Sequence, residues 1–170
     1  MTPEETYSAI WNVIRKSNIW GQSKNCMTIL EQENSLACDC DAAWRTLADF
    51  GNFLAWATGG AGAARLEGEG VGMIRHLDIP GLGLVSERLD RLDDASRTLG
   101  YSMVSDNMAG MARYSATVQV ISNGVGQCCL RWRGDFEPLP GVDSEEVGNS
   151  LAGSYAMMSQ GLEAFVNAQA

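Results

Sequence analysis

The sequence predicts an α+β domain in which a curved antiparallel β-sheet wraps around a long C-terminal α-helix. Three observations carry this. Residues from about 63 to 136 read as consecutive strands divided by turn signals. Behind them, Val147, Leu151, Tyr155, Met158, Leu162 and Phe165 recur at spacings of three or four, which is one long helical stripe. The chain has 170 residues, enough for one domain with a short appendage. A sheet with one apolar face and a helix with one apolar stripe must bury those surfaces against each other.

The elements follow in chain order. Thr2-Pro3-Glu4-Glu5 is a capping box with proline at the first helical position, and Tyr7, Ile10, Trp11 and Ile14 follow at helical spacing. This predicts a helix over about residues 3–17, an extension occupying residues 1–25 ahead of a main domain at 26–170. Its apolar stripe needs cover from the same domain, from a cavity mouth or from a second copy of the chain in a homodimer. Residues 27–38 read as a first strand. Asp39 or Asp41 can cap a short helix through Trp44 and Leu47, Gly51 breaks it, and residues 52–57 form a second. Gly59-Gly60-Ala61-Gly62 is a turn; it lacks the Lys-Ser/Thr of a phosphate loop. Strand turns fall at Glu69-Gly70, Pro80-Gly81, Asp93-Asp94, residues 107–110 and Asn123-Gly124. Pro138, Pro140 and Gly141 end the sheet, and Asp143-Ser144-Glu145-Glu146 opens the last helix with acids in its first turn.

Composition excludes several functions. The net charge of -9 and the lack of a Lys/Arg cluster argue against nucleic acid and anionic membranes. No apolar run approaches the roughly 20 residues of a membrane span, and the acidic N-terminus has no signal-peptide pattern, so the expected location is the cytoplasm. Cys26, Cys38, Cys40, Cys128 and Cys129 match no zinc or redox spacing and read as reduced structural thiols, with Cys38 and Cys40 on one strand face. The one histidine, His76, rules out a His-rich metal site, and no metal is expected.

Strand alternation identifies the inner face. Met73, Arg75, Leu77 and Ile79 share one face, and Val85, Glu87 and Leu89 another. A hairpin centred on Gly81 sets Met73 opposite Leu89, Arg75 opposite Glu87 and Leu77 opposite Val85, so both apolar sets fall into register together. A hairpin centred on Asp94 sets Leu89 beside Leu99, Glu87 beside Tyr101 and Val85 beside Met103. The result is an inward row of Arg75, Glu87 and Tyr101. It is either an ion pair tying three strands together or the polar band of a cavity wall. The next strand turns Tyr114, Ala116, Val118 and Val120 inward, and the last turns Leu130, Trp132 and Phe136 inward. A two-residue Asn123-Gly124 turn would give these strands the wrong parity, so an odd-length loop or bulge is expected at residues 123–126. Trp132 and Tyr114 read equally as cavity lining or as core.

Several segments together resemble the START/Bet v 1-like (SRPBCC) superfamily in its polyketide cyclase/dehydrase branch. They are the run from Asp41-Ala42-Ala43-Trp44 to Trp56, Gly72-Met73-Ile74-Arg75, Ser86-Glu87-Arg88-Leu89, Tyr101-Ser102-Met103, Tyr114-Ser115-Ala116-Thr117 and Trp132-Arg133-Gly134-Asp135-Phe136. The resemblance spans roughly residues 27–165 and implies a helix-grip fold with a deep pocket for a hydrophobic ligand. Members include aromatic polyketide cyclases, plant Pictet–Spengler-type synthases, hormone receptors and lipid carriers. It implies either a cofactor-free cyclase, dehydratase or isomerase, or a non-catalytic carrier or sensor of a hydrophobic molecule. In the enzyme, Glu87 would be general base, Arg75 would stabilise an enolate or phenolate, and Tyr101 and Tyr114 would relay protons. Trp56, Met73, Leu77, Val85, Leu89, Met103, Trp132, Phe136, Tyr155 and Met158 would surround the ligand.

Overall fold

The computed structural model describes residues 27–106 and 108–170; the expected helix over residues 3–17 and Cys26 lie outside them. Seven strands form one antiparallel sheet. They are β1 (Thr28–Leu36), β2 (Ala63–Glu67), β3 (Ile74–Ile79), β4 (Gly83–Asp93), β5 (Thr98–Met103), β6 (Met111–Ser122) and β7 (Cys128–Pro138). The spatial order is β1-β7-β6-β5-β4-β3-β2. Between β1 and β2 the chain forms α1 (Cys40–Ala48), a 3-10 turn (Phe50–Asn52) and α2 (Phe53–Ala57); α3 (Ser144–Asn167) closes the chain across the sheet. This is the expected helix-grip plan.

Local chemistry explains the boundaries. Asp39 is the cap of α1, accepting from the Ala42 amide at 2.8 Å. Because Cys40 starts that helix, it does not share a strand face with Cys38 as expected; Cys38 instead meets Cys128 with the two Sγ atoms 3.8 Å apart. Asp143 caps α3 through the amides of Glu145 and Glu146, at 2.7 and 3.1 Å. The buried stripe of α3 is Val147, Leu151, Tyr155, Ser159, Leu162 and Val166. Met158 and Phe165, expected within it, are half-buried, because polar Ser159 takes the central position. Its hydroxyl donates to the Tyr155 carbonyl at 2.7 Å and accepts from Trp132 Nε1 and Asn34 Nδ2, each at 3.0 Å. At Gly161 an added Cβ would stand 2.5 Å from the Trp56 carbonyl oxygen, so glycine lets α2 lie directly on α3.

The register decides the inner face. In the β3–β4 hairpin Arg75 stands opposite Glu87 and Leu77 opposite Val85, as alternation predicts. The β4–β5 register differs from expectation: Leu89 faces Tyr101, and Glu87 faces Met103. Three local features cause the shift. β4 runs on to Asp93, the turn occupies residues 94–97 with Arg97 at φ 48, and the pairing slips between Leu89 and Arg91. Side chains hold this longer turn: Asp93 accepts from Ser96 Oγ at 2.7 Å, and Asp94 accepts the Trp44 indole at 2.9 Å. The slip keeps Tyr101 inward but sets it diagonal to Glu87. The loop from β6 to β7 has odd length, residues 123–127, closed by the Asn123 amide on the Gln127 carbonyl at 3.0 Å. Val118 then faces Trp132 and Tyr114 faces Phe136, which puts all four in the interior.

Candidate functional site

Between the sheet and the first half of α3 lies a cavity of about 110 Å³. Apolar walls come from Leu77, Val85, Met111, Val147, Leu151 and Met158, with Leu82 and Met108 near the strand turns. Arg75, Glu87, Tyr101, Tyr114 and Tyr155 interrupt them, and Ser150 and Ser154 line the α3 side. An engineered apolar cavity of roughly 150 Å³ holds a benzene. The space is somewhat smaller than that, so a single substituted ring enters it with movement of the flexible Leu82, Met108 and Met158 side chains.

Arg75 and Glu87 are 5% and 7% exposed. Nε and Nη2 of Arg75 both lie on Glu87 Oε2, at 2.8 and 2.7 Å, and Nη1 donates to the Phe50 carbonyl at 2.9 Å. The guanidinium carbon sits 3.9 Å from the Phe50 ring centre and 4.3 Å from that of Phe53. The 3-10 turn and α2 therefore clamp the arginine by carbonyl and by ring faces. All of this converges on one carboxylate oxygen. Glu87 Oε1 has no hydrogen-bond partner among the described residues.

The phenols form a chain. Tyr101 and Tyr114 hydroxyls are 3.2 Å apart, and Tyr114 and Tyr155 hydroxyls 3.0 Å. Burial pushes Tyr101 and Tyr114 well above the ordinary tyrosine range, with the Glu87 charge adding to the effect on Tyr101 and the neighbouring tyrosines adding to it on Tyr114. Burial also pushes Tyr155 up to about 12, so all three remain neutral donors at physiological pH. Gly134 makes the third member possible. It pairs with Ala116 on the inner face, and a Cβ there would collide with the Tyr155 hydroxyl. Trp132 stacks on the Tyr155 ring with centres 4.7 Å apart and planes 10° apart, which fixes the ring orientation.

Of the residues named from sequence, Arg75, Glu87, Tyr101, Tyr114, Leu77, Val85, Tyr155 and Met158 line this cavity. Trp56, Met73, Leu89, Met103, Trp132 and Phe136 do not, which corrects the expected ligand shell. Trp132 and Phe136 are fully packed core, and Leu89 is buried beside them in the same apolar cluster. Met103 lines a separate surface cleft with Ser105 and Arg113. Met73 precedes β3 and is half-buried. Trp56 is enclosed with its edge contact to Phe53, and its Nε1 is buried without a partner among the described residues. The expected ligand shell also lacks Leu82, Met108, Met111, Val147 and Leu151 from the apolar walls, and Phe53, Ser150 and Ser154. The serines lie four apart beside the apolar stripe, and that small polar pair on a core-facing helix was the available signal.

The family model for "Polyketide cyclase / dehydrase and lipid transport" matches residues 27–168. Curated protein sequences give no significant match. Among solved structures, norcoclaurine synthase from Thalictrum flavum, in complex with dopamine and hydroxybenzaldehyde, superposes with a TM-score of 0.67 at 20% identity. That match covers 92% of this chain and 98% of the synthase. An uncharacterised Bacillus thuringiensis protein gives 0.69 at 24% identity, covering 83% and 98%. XoxI from Bacillus cereus gives 0.69 at 22%, covering 84% and 99%. At these identities the likeness concerns the fold.

Proposed function

The chain belongs to the polyketide cyclase, dehydrase and lipid transport family, and from that premise we propose that it binds a small aromatic or polyketide-like molecule in the inner cavity and catalyses its cyclisation, dehydration or isomerisation without a cofactor. One observation carries the proposal: a cavity-lining carboxylate has one oxygen fixed by Arg75 and the other open. In this reading Glu87 Oε1 takes a proton from carbon next to a carbonyl, and the spare O–H of the phenol chain donates to the enolate oxygen that forms. For a dehydration, the glutamic acid then returns that proton to the departing hydroxyl, which leaves as water while the double bond forms. For an isomerisation, the same proton returns to a different carbon. Arg75 acts through Glu87 as a positioning residue. Three of its five N–H groups are held by Glu87 and the Phe50 carbonyl and the Phe50 and Phe53 rings lie against it, so the enolate is assigned to the phenols rather than to the guanidinium. Four buried free cysteines among the described residues favour a reducing compartment such as the cytoplasm as the working environment.

The alternative is a carrier or sensor of a hydrophobic molecule, which draws on the transport part of the family description. Cavity size separates the two. Pockets for drug-sized or larger ligands run to roughly 300–1,000 Å³, against about 110 Å³ here, which favours a compact ring over a lipid chain. Glu87→Gln is the test. Once a substrate is found by native mass spectrometry of protein from its own host, the variant should lose turnover by at least about a hundredfold while binding that molecule within about tenfold. Undiminished turnover removes Glu87 from the role of base.

A further inference from the structure

We infer that the cavity selects ligands in an uncharged state, and among those a single-ring molecule that presents a hydroxyl, such as a phenol or an enol. The inference rests on the proposed binding cavity and specifies what enters it.

The polar groups of the lining come from five elements: Arg75 from β3, Glu87 from β4, Tyr101 from β5, Tyr114 from β6, and Tyr155 with two serines from α3. His76 is on the opposite face of β3, bonded to Ser86 at 2.8 Å and to Glu67 at 3.3 Å. The lining thus holds one cation and one anion in direct contact, and its sum is zero. A carboxylate ligand would meet the like charge of Glu87, and three of the five Arg75 N–H groups are already held by Glu87 and the Phe50 carbonyl. An ammonium ligand would pair with Oε1 but leave two cations sharing one anion. Either leaves a net charge in a largely apolar space, where desolvation is costly.

A neutral hydroxyl meets no such penalty. Three phenol hydroxyls joined by two hydrogen bonds keep one O–H hydrogen unspent, whichever way the chain is oriented. The lining therefore offers Glu87 Oε1 as its one charged acceptor without a hydrogen-bond partner among the described residues, and at least one spare phenolic donor beside the α3 serines. A ligand hydroxyl satisfies such a pair with its own hydrogen and lone pair. Tyr101, Tyr114 and Tyr155 supply that donor throughout the neutral range because burial keeps them protonated.

The test uses three probes of one shape: benzyl alcohol, benzoate and benzylammonium, titrated into the full chain at neutral pH by calorimetry and ligand-observed NMR. Benzyl alcohol should bind, and the two ions at least about a hundredfold more weakly. An ion bound within tenfold of the alcohol overturns the inference and leaves the cavity reading intact. Failure of all three to bind overturns both. A second arm uses 4-nitrophenol, whose hydroxyl ionises near neutral pH: its affinity should fall as the phenolate forms, and a constant affinity overturns the inference. In Glu87→Gln, checked for folding by circular dichroism, the unbalanced Arg75 should reverse the order and raise benzoate affinity at least tenfold. Benzoate affinity unchanged in the folded variant counts against the charge count.

Discussion

Arg75 shows how a charge is tolerated inside an apolar wall. A buried ion pair contributes little net stability against an apolar isostere, but removing one partner leaves the other charge stranded. With 5% and 7% exposure for the two residues, Arg75→Ala should cost about 3–5 kcal/mol in denaturant unfolding. A loss below about 1 kcal/mol would mean that water reaches Glu87 freely. Tyr155 carries a pH signature. Its folded value of about 12 stands above the ordinary 10, so the unfolded chain loses this proton first. The stability it contributes is complete below pH 10 and declines as pH rises toward about 12. Tyr155→Phe should flatten that alkaline decline in unfolding measurements, and an unchanged slope would assign it to other groups.

At the scale of the element, α3 is both lid and wall. Asp143 fixes where it starts, and Ser159 fixes its rotation by holding Trp132 of β7 and Asn34 of β1. With that rotation the helix shows the cavity Ser150 and Ser154, whose small volumes leave the space open. Leucine at 154 should fill it. Ser154→Leu is expected to keep or raise the melting temperature while weakening a cavity ligand at least tenfold; unweakened binding would place the ligand elsewhere. The strands show the same dependence on one small residue. Without glycine at 134 the Tyr155 hydroxyl would have no place next to Tyr114.

At the scale of the whole molecule, the sheet and α3 share one hydrophobic core, and the cavity is a gap in it. A neutral single-ring ligand at about 100 times its Kd should therefore stabilise the fold by about 2.7 kcal/mol. A ligand that binds without shifting the unfolding midpoint would contradict a folded-state cavity site. None of the described helices is long and apolar enough to cross a membrane. The sequence by itself determined the order of elements, the inward faces of β3, β4, β6 and β7, the Arg75–Glu87 pairing and the parity of the β6–β7 loop. Those depend on alternation and on turn residues only a few positions apart. The tertiary structure decided the rest. The β4–β5 turn is held in part by Trp44 reaching Asp94 from another element, and the phenol chain depends on Tyr155 from α3 entering the gap at Gly134. Whether Trp132 and Phe136 became core or lining was equally out of reach of strand periodicity. Periodicity tells which way a side chain points, whereas the volume left in front of it is set by partners distant in the chain.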